Sequence, residues 1–260
     1  MDIFWNGQKL IEFSPIFIRT SFLLFSVPMF SSQIIFPIMR GGIALAVSLA
    51  IYSGLKPTFS FFEMSLADII AGILSELFFS FLVFIIIRIF LLSPQLSGET
   101  ISYQLGYGLM TLVSPFEENP VSVITEFIFL IAITLFFVLD IHIGFLWGIK
   151  KSFEIVPPFS FALSENQSEF LLQRLRESFY VSLQIAFPVI LAMFIIEISI
   201  AIISRTIPQF NIFVIGFPLR IAIGILILTF TFDRIGFLIG EFMKKFIESF
   251  SDIILLGIKH

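Results

Sequence analysis

The sequence holds no cysteine, 2 histidines and 2 tryptophans. Without cysteine there is no disulfide, no thiolate metal site and no cysteine nucleophile. Charge is scarce as well. Asp, Glu, Lys and Arg make up 13% of the 260 residues, about half the share usual in soluble chains. The 15 basic and 19 acidic residues leave a net charge of −4, so there is no basic excess of the kind that selects nucleic acid. Catalytic motifs are missing too. There is no GxxxxGK[ST], HExxH or GxSxG, and Gly106-Tyr107-Gly108 does not continue to GxGxxG. No set of residues assembles a nucleophile, a base and oxyanion donors. The sequence therefore points away from an enzyme, and it asks for no cofactor and no metal. His142 reads as a packed imidazole within an apolar stretch, and His260 is the last residue.

What is abundant is apolar. Hydrophobic residues make up 58% of the chain, 37 residues are Phe, and the mean hydropathy is +1.05. A soluble domain of this size cannot hide that much apolar surface, and about 20 apolar residues suffice to cross a bilayer. Apolar stretches occupy residues 13–36, 43–55, 66–92, 123–147, 183–203 and 210–232. The expected fold is all-α: a polytopic integral membrane protein of hydrophobic helical hairpins, with about six apolar segments in a single membrane domain over 1–260. Residues 37–42 are expected to form a turn. Lys56-Pro57 and Ser93-Pro94 are expected to end helices, because proline biases its predecessor out of the helix. The N-terminus lacks a basic n-region and a small-residue cleavage site, so the first apolar stretch is expected to stay on the mature protein.

Three segments depart from the apolar pattern. Residues 95–121 carry Gly98, Gly106, Gly108, Pro115 and Pro120 and read as a short helix followed by an irregular apolar loop. Irregular backbone at membrane depth survives only where protein or a water-filled cavity satisfies it, so this segment is expected to line or plug something. Tyr107, Leu109, Met110, Leu112, Val113 and Phe116 are the candidate sealing side chains, and Gly106, Gly108 and Pro115 let the backbone leave the helix. Residues 148–178, with Lys150, Lys151, Arg174 and Arg176, read as a cytoplasmic loop. It contains a capping-box spacing from Ser164 to Gln167 and a surface-lying amphipathic helix from Phe170. Residues 241–260, with Lys244, Lys245 and Lys259, read as a cytoplasmic tail. The positive-inside rule then puts 93–122 outside and both termini inside.

Ionisable residues stand within the apolar stretches: Arg19, Asp68, Glu76, Arg88, Asp140, Glu197 and Arg220. Each would cost about 2.5–3.5 kcal/mol at the centre of a bilayer. Most must face protein or water, and Glu76 or Asp140 is expected to pair with Arg88 or Arg220. The GxxxG spacings of Gly144 with Gly148 and of Gly236 with Gly240 allow close helix approach.

One stretch is far more specific than the rest. Arg205, Pro208, Gln209, Asn211, Phe213, Gly216, Pro218 and Arg220 resemble the R-x-x-P-Q-x-N-x-F-x-x-G-F-P-x-[KR] signature of the FliR family. These are inner-membrane export-gate proteins of flagellar and virulence type III secretion systems. Gly224 supplies the glycine of the helix that follows. Gly98, Glu99, Gln104 and Gly106 resemble the family's G-E-x-x-x-x-Q-x-G block, and Arg19, Pro28, Pro37 to Arg40, and Ser152-Phe153 with Pro157 resemble further blocks. Ser114-Pro115 stands where the family often has Asp-Pro, and Ile141-His142 where flagellar members often have Gly-His. The likeness covers residues 10–245, and His142 with Phe153 inclines it to the flagellar branch.

The resemblance implies a structural channel subunit of a bacterial inner membrane, in the flagellar basal body. Such a subunit passes unfolded export substrates and catalyses no bond chemistry. It implies FliP-like and FliQ-like subunits, FlhB and FlhA as partners besides membrane lipid. It also implies hydrophobic hairpins lifted largely out of the bilayer, where they pack subunit to subunit. In the family, the loop after the G-E block plugs the closed channel, which maps to 107–121 here. Two alternatives stay open. One is a virulence-type (injectisome) export-gate subunit. The other, of a different class, is a proton-coupled secondary transporter, suggested by the short echo of Phe36-Pro37-Ile38-Met39-Arg40 in Phe217-Pro218-Leu219-Arg220.

Overall fold

In the computed structural model, residues 7–27, 36–55, 65–107, 122–161, 165–206 and 212–256 are described. Among them helices are the only regular secondary structure. The helices are α1 (Gly7–Ser26), α2 (Pro37–Gly54), α3 (Leu66–Gln104), α4 (Val123–Val138), α5 (Ile141–Ile155), α6 (Glu165–Thr206) and α7 (Ile212–Leu256). Four of them are long and apolar enough to cross a membrane, namely α2, α3, α6 and α7, or five spans if α4 and α5 count as one broken span. The sequence led to about six. The difference lies at α1, which carries Lys9, Glu12 and Arg19 among its 20 residues.

Several expected boundaries move. Residues 37–42 are not a turn. Pro37 stands at the start of α2, where its fixed φ suits the first helical turn and its missing N–H is not needed. Pro94 does not end α3, which continues to Gln104. Proline removes one ladder bond and disturbs the preceding turn, but serine hydroxyls, one from α6 and one from α3 itself, use carbonyls nearby. Ser178 donates to the Ile89 carbonyl at 2.8 Å and Ser97 to the Pro94 carbonyl at 2.8 Å. So residues 95–104 are regular helix, and of the segment read as irregular only 105–107 are described beyond it.

The stretch 123–147 is broken after Val138. Asp140 there takes φ 55, a left-handed conformation that Asp tolerates better than most residues. The loop expected at 148–178 is mostly helix, from the end of α5 and the start of α6, with a turn at 156–161 between them. Ser164, the expected cap, lies outside the described residues. The tail expected at 241–260 is helical as far as Leu256.

The chain divides into two compact units. The first draws on residues 1–88, 142–173 and 246–260. Its core includes Leu23, Phe79, Val83, Ile149 and Phe250, all 4% exposed or less. Gly144 and Gly148 let the Ile247 and Phe250 side chains of α7 come close against α5, the close approach expected of a GxxxG pair.

At the centre of this unit Arg19 and Glu76 form an ion pair with both side chains fully buried. Arg19 Nε donates to Glu76 Oε2 at 2.6 Å and Nη2 to Oε1 at 2.8 Å. The guanidinium lies between the Phe79 and Phe153 rings, 4.6 and 4.3 Å from their centroids. This corrects the expected partners: Glu76 meets Arg19, not Arg88 or Arg220. Arg88 is exposed and lies over the Phe84 ring at 5.0 Å. Asp68 is exposed at the first turn of α3, where it forms a reciprocal cap with Ser65.

The second unit draws on residues 89–141 and 174–245. Phe90 stacks on Phe242 with centroids 4.6 Å apart. Ile101, Leu105, Ile128, Ala132, Ala186, Val189 and Met193 of the same unit are completely or almost completely buried. This unit carries the segment expected to act as a plug.

Candidate functional site

The G-E block and the G-F-P block, more than 100 residues apart in the chain, meet where α3 ends. The last turn of α3 closes as a Schellman motif. The Tyr107 N–H donates to the Ser102 carbonyl at 3.1 Å and the Gly106 N–H to the Tyr103 carbonyl at 3.0 Å. Gly106 has φ +90, the left-handed conformation this cap requires and glycine adopts without a steric penalty. A Cβ on Gly106 would also press on the Phe217 ring of α7, at 3.2 Å. One residue earlier, the Leu105 side chain fills the space that a Cβ on Gly224 would need. Leu105 is completely buried. Two family glycines therefore serve one junction: Gly106 turns the chain, and Gly224 makes the notch that seats Leu105.

Gly98 works on the same principle two turns back. A Cβ there would lie 2.6 Å from the Thr125 Cα, so α3 and α4 cross backbone to backbone at this point. The start of α4 is capped as well. The Ser122 hydroxyl accepts from the Ile124 N–H at 3.2 Å, which satisfies one of the orphan donors at the helix start. Residues 108–121 thus connect a closed helix end at Gly106 to a capped helix start at Ser122.

The other motif residues are placed unevenly. Tyr107 is half-buried at the junction. Leu109, Met110, Leu112, Val113 and Phe116 lie outside the described residues, as do Ser114, Pro208, Gln209 and Asn211. Glu99 is exposed and Gln104, the last residue of α3, is half-buried. Arg205 is exposed in the last turn of α6. Phe213 belongs to the first turns of α7, Gly216 is buried and Pro218 is exposed within the helix. Arg220 faces Glu197 of α6 at 3.7 Å, with the two side chains 28% and 49% exposed. It was expected to pair with Glu76 or Asp140, and Asp140 instead sits exposed at the break after α4.

Outside the junction, α6 presents one apolar stripe. Leu183, Phe187, Leu191, Phe194, Ile198 and Ile202 are all exposed, at steps of three and four that keep them on one helix face. The stripe is about 28 Å long at 1.5 Å per residue, close to the thickness of a hydrocarbon core. An apolar surface of this extent marks contact with membrane or protein.

Comparison with known proteins decides the family. The family described as "Bacterial export proteins, family 1" matches residues 10–246. The chain belongs to that family. Among its relatives, the flagellar biosynthetic protein FliR of Aquifex aeolicus is 28% identical over 250 residues, 96% of each chain. FliR of Bacillus subtilis is 24% identical over 249 residues, 93% of each chain. The Yop proteins translocation protein T of Yersinia pestis is 25% identical over 205 residues, 78% of each chain. Membership and the apolar helices together make this a multi-pass membrane protein of a bacterial export apparatus, where it works beside other subunits.

Reasoning from the sequence found Gly98, Gly106 and Gly224 by their motif positions but missed Leu105 and Phe217 as their counterparts. A leucine and a phenylalanine in apolar stretches carry no signal of their own. It also missed the pairing of Arg19 with Glu76, 57 residues apart.

Proposed function

We propose that this chain is a structural channel subunit of a flagellar type III protein-export gate, and that residues 107–121 plug the closed channel. It passes unfolded substrate and catalyses no bond chemistry. FliP-like and FliQ-like subunits, FlhB and FlhA are its partners. The flagellar reading is supported by FliR relatives that align along 96% and 93% of the chain, against 78% for the Yop translocation protein. An injectisome gate is the alternative.

The observation that carries the plug reading is the junction of the two motif blocks. Gly106 and Gly224 are required by Phe217 and Leu105, and what these contacts fix is the point where the 108–121 segment departs. A segment rooted this firmly at one end and capped at Ser122 at the other suits a stopper that is displaced and returns.

The test is deletion of residues 108–119 in a chain co-produced with its partner subunits. Membranes holding the deleted form are expected to leak small ions. Unchanged conductance would remove the plug reading while leaving the family intact. Gentle extraction of the tagged chain, followed by mass spectrometry of what stays bound, checks the partners. A lone monomer would favour the transporter alternative.

A further inference from the structure

The buried Arg19–Glu76 pair does more than neutralise two charges. α5 ends at Ile155 because Pro157 and Pro158 cannot continue it. Arg19 bonds at this end: it adds a second donor to the Ser152 carbonyl, which already accepts the Val156 N–H at 2.9 Å, and serves the Val156 carbonyl just beyond the helix. Its Nη1 donates to the Ser152 carbonyl at 3.1 Å and to the Val156 carbonyl at 3.0 Å. The chain then turns over Pro157, Pro158, Phe159 and Ser160, closed by the Ser160 N–H on the Pro157 carbonyl at 3.2 Å. Phe159 has φ 67. With proline before it, this is a type II turn, and its third position favours glycine. Phenylalanine is held there from outside. Its N–H donates to Glu76 Oε1 at 2.8 Å, and its ring lies where Gly72 of α3 has no side chain. Ser75 adds a hydroxyl bond to the Phe161 carbonyl at 3.3 Å.

We propose that Arg19 and Glu76 form a directional latch that shapes the 156–161 turn and thereby sets the path from α5 into α6. The turn offers carbonyls to the arginine and an amide N–H to the glutamate. The two charges are therefore not interchangeable, as they would be in a plain ion pair. The latch also imposes an order on folding. Arg19 is 133 residues from Ser152 and 137 from Val156, so the turn takes its shape only after α1 has docked against α3 and α5. This inference concerns the first unit and does not depend on the plug reading.

The absence of native cysteine makes the test direct. Val156, 1% exposed, is replaced by cysteine in the full chain, co-produced with its partners in membranes, and its rate of thiol labelling is measured. Ser48→Cys, buried elsewhere in the first unit, serves as a reporter of general unfolding of that unit. Glu76→Gln and Arg19→Lys are each expected to speed labelling at 156 about tenfold or more, since each removes charge-assisted bonds that close the turn, with labelling at 48 unchanged. The exchanged pair, Arg19→Glu with Glu76→Arg, is expected to stay fast. Phe159→Gly in the Glu76→Gln background is expected to slow labelling again, because glycine needs no outside hold to take φ 67. Slow labelling in the exchanged pair, or equal acceleration at 48 and 156, would overturn the latch.

Discussion

Leu105 occupies the volume that any side chain at position 224 would need, so the end of α3 and the first third of α7 share one space. Gly224→Ala is therefore expected to displace Leu105 and destabilise the second unit by about 1–3 kcal/mol, the usual range for an overfilled core. Leu105→Ala alone opens a cavity, at about 2–5 kcal/mol. The double variant is expected to recover part of the loss, because the new methyl group fills part of the new space. Thermal unfolding of the purified complex measures this coupling, and strictly additive losses would refute it.

Gly106 tests the cap itself. Gly106→Ala must hold a side chain at φ +90 and meet Phe217, at a cost of about 1–2 kcal/mol from the backbone alone. Gly106→Asn is expected to be milder on the backbone, since asparagine accepts the left-handed region, but no better against Phe217. If the plug depends on its root, Gly106→Ala also raises ion leak, in the direction of the 108–119 deletion.

Removing one partner of the buried pair is a harsher change. Arg19→Ala leaves Glu76 charged and enclosed, and it is expected to cost about 3–5 kcal/mol. Glu197→Gln, whose pair with Arg220 is half-exposed, is expected to cost about 1 kcal/mol or less. Comparing the two unfolding transitions checks the contrast, and equal losses would contradict the burial argument.

Topology can be read from single cysteines in the otherwise cysteine-free chain. Ser114→Cys is expected to label only from outside, and Ser160→Cys, exposed on the 156–161 turn, only from the cytoplasm. Labelling of both from one face would refute the assignment drawn from the lysines and arginines, and labelling of each from the opposite face would reverse it.

Much of this architecture was legible in the residues. The apolar stretches marked most of the helices, and Gly106 marked where the backbone leaves α3, though not what it meets there. The boundaries set by proline were less legible. Pro94 reads as a stop when only local preference is considered, yet hydroxyls from Ser97 and Ser178 serve the carbonyls around it. Phe159 is the converse case. Nothing local assigns phenylalanine a left-handed conformation, and the reasons for it, Glu76 and Gly72, lie on another helix. The pattern at Arg19 hid its partner for the same reason. A lone arginine in an apolar stretch announces that a partner exists, but which carboxylate it meets is decided by packing.

The three long helices have a consequence for the life of the protein in the cell. With 39, 42 and 45 residues, α3, α6 and α7 measure about 58, 63 and 68 Å, roughly twice the hydrocarbon thickness. A bilayer covers only part of such a helix, and the remainder is left to water or to neighbouring protein. As a subunit of the proposed gate, a copy made without companions is expected to be a target for membrane quality-control proteases. Its steady-state abundance is then expected to follow the supply of the subunits that cover it and not this chain's own rate of synthesis.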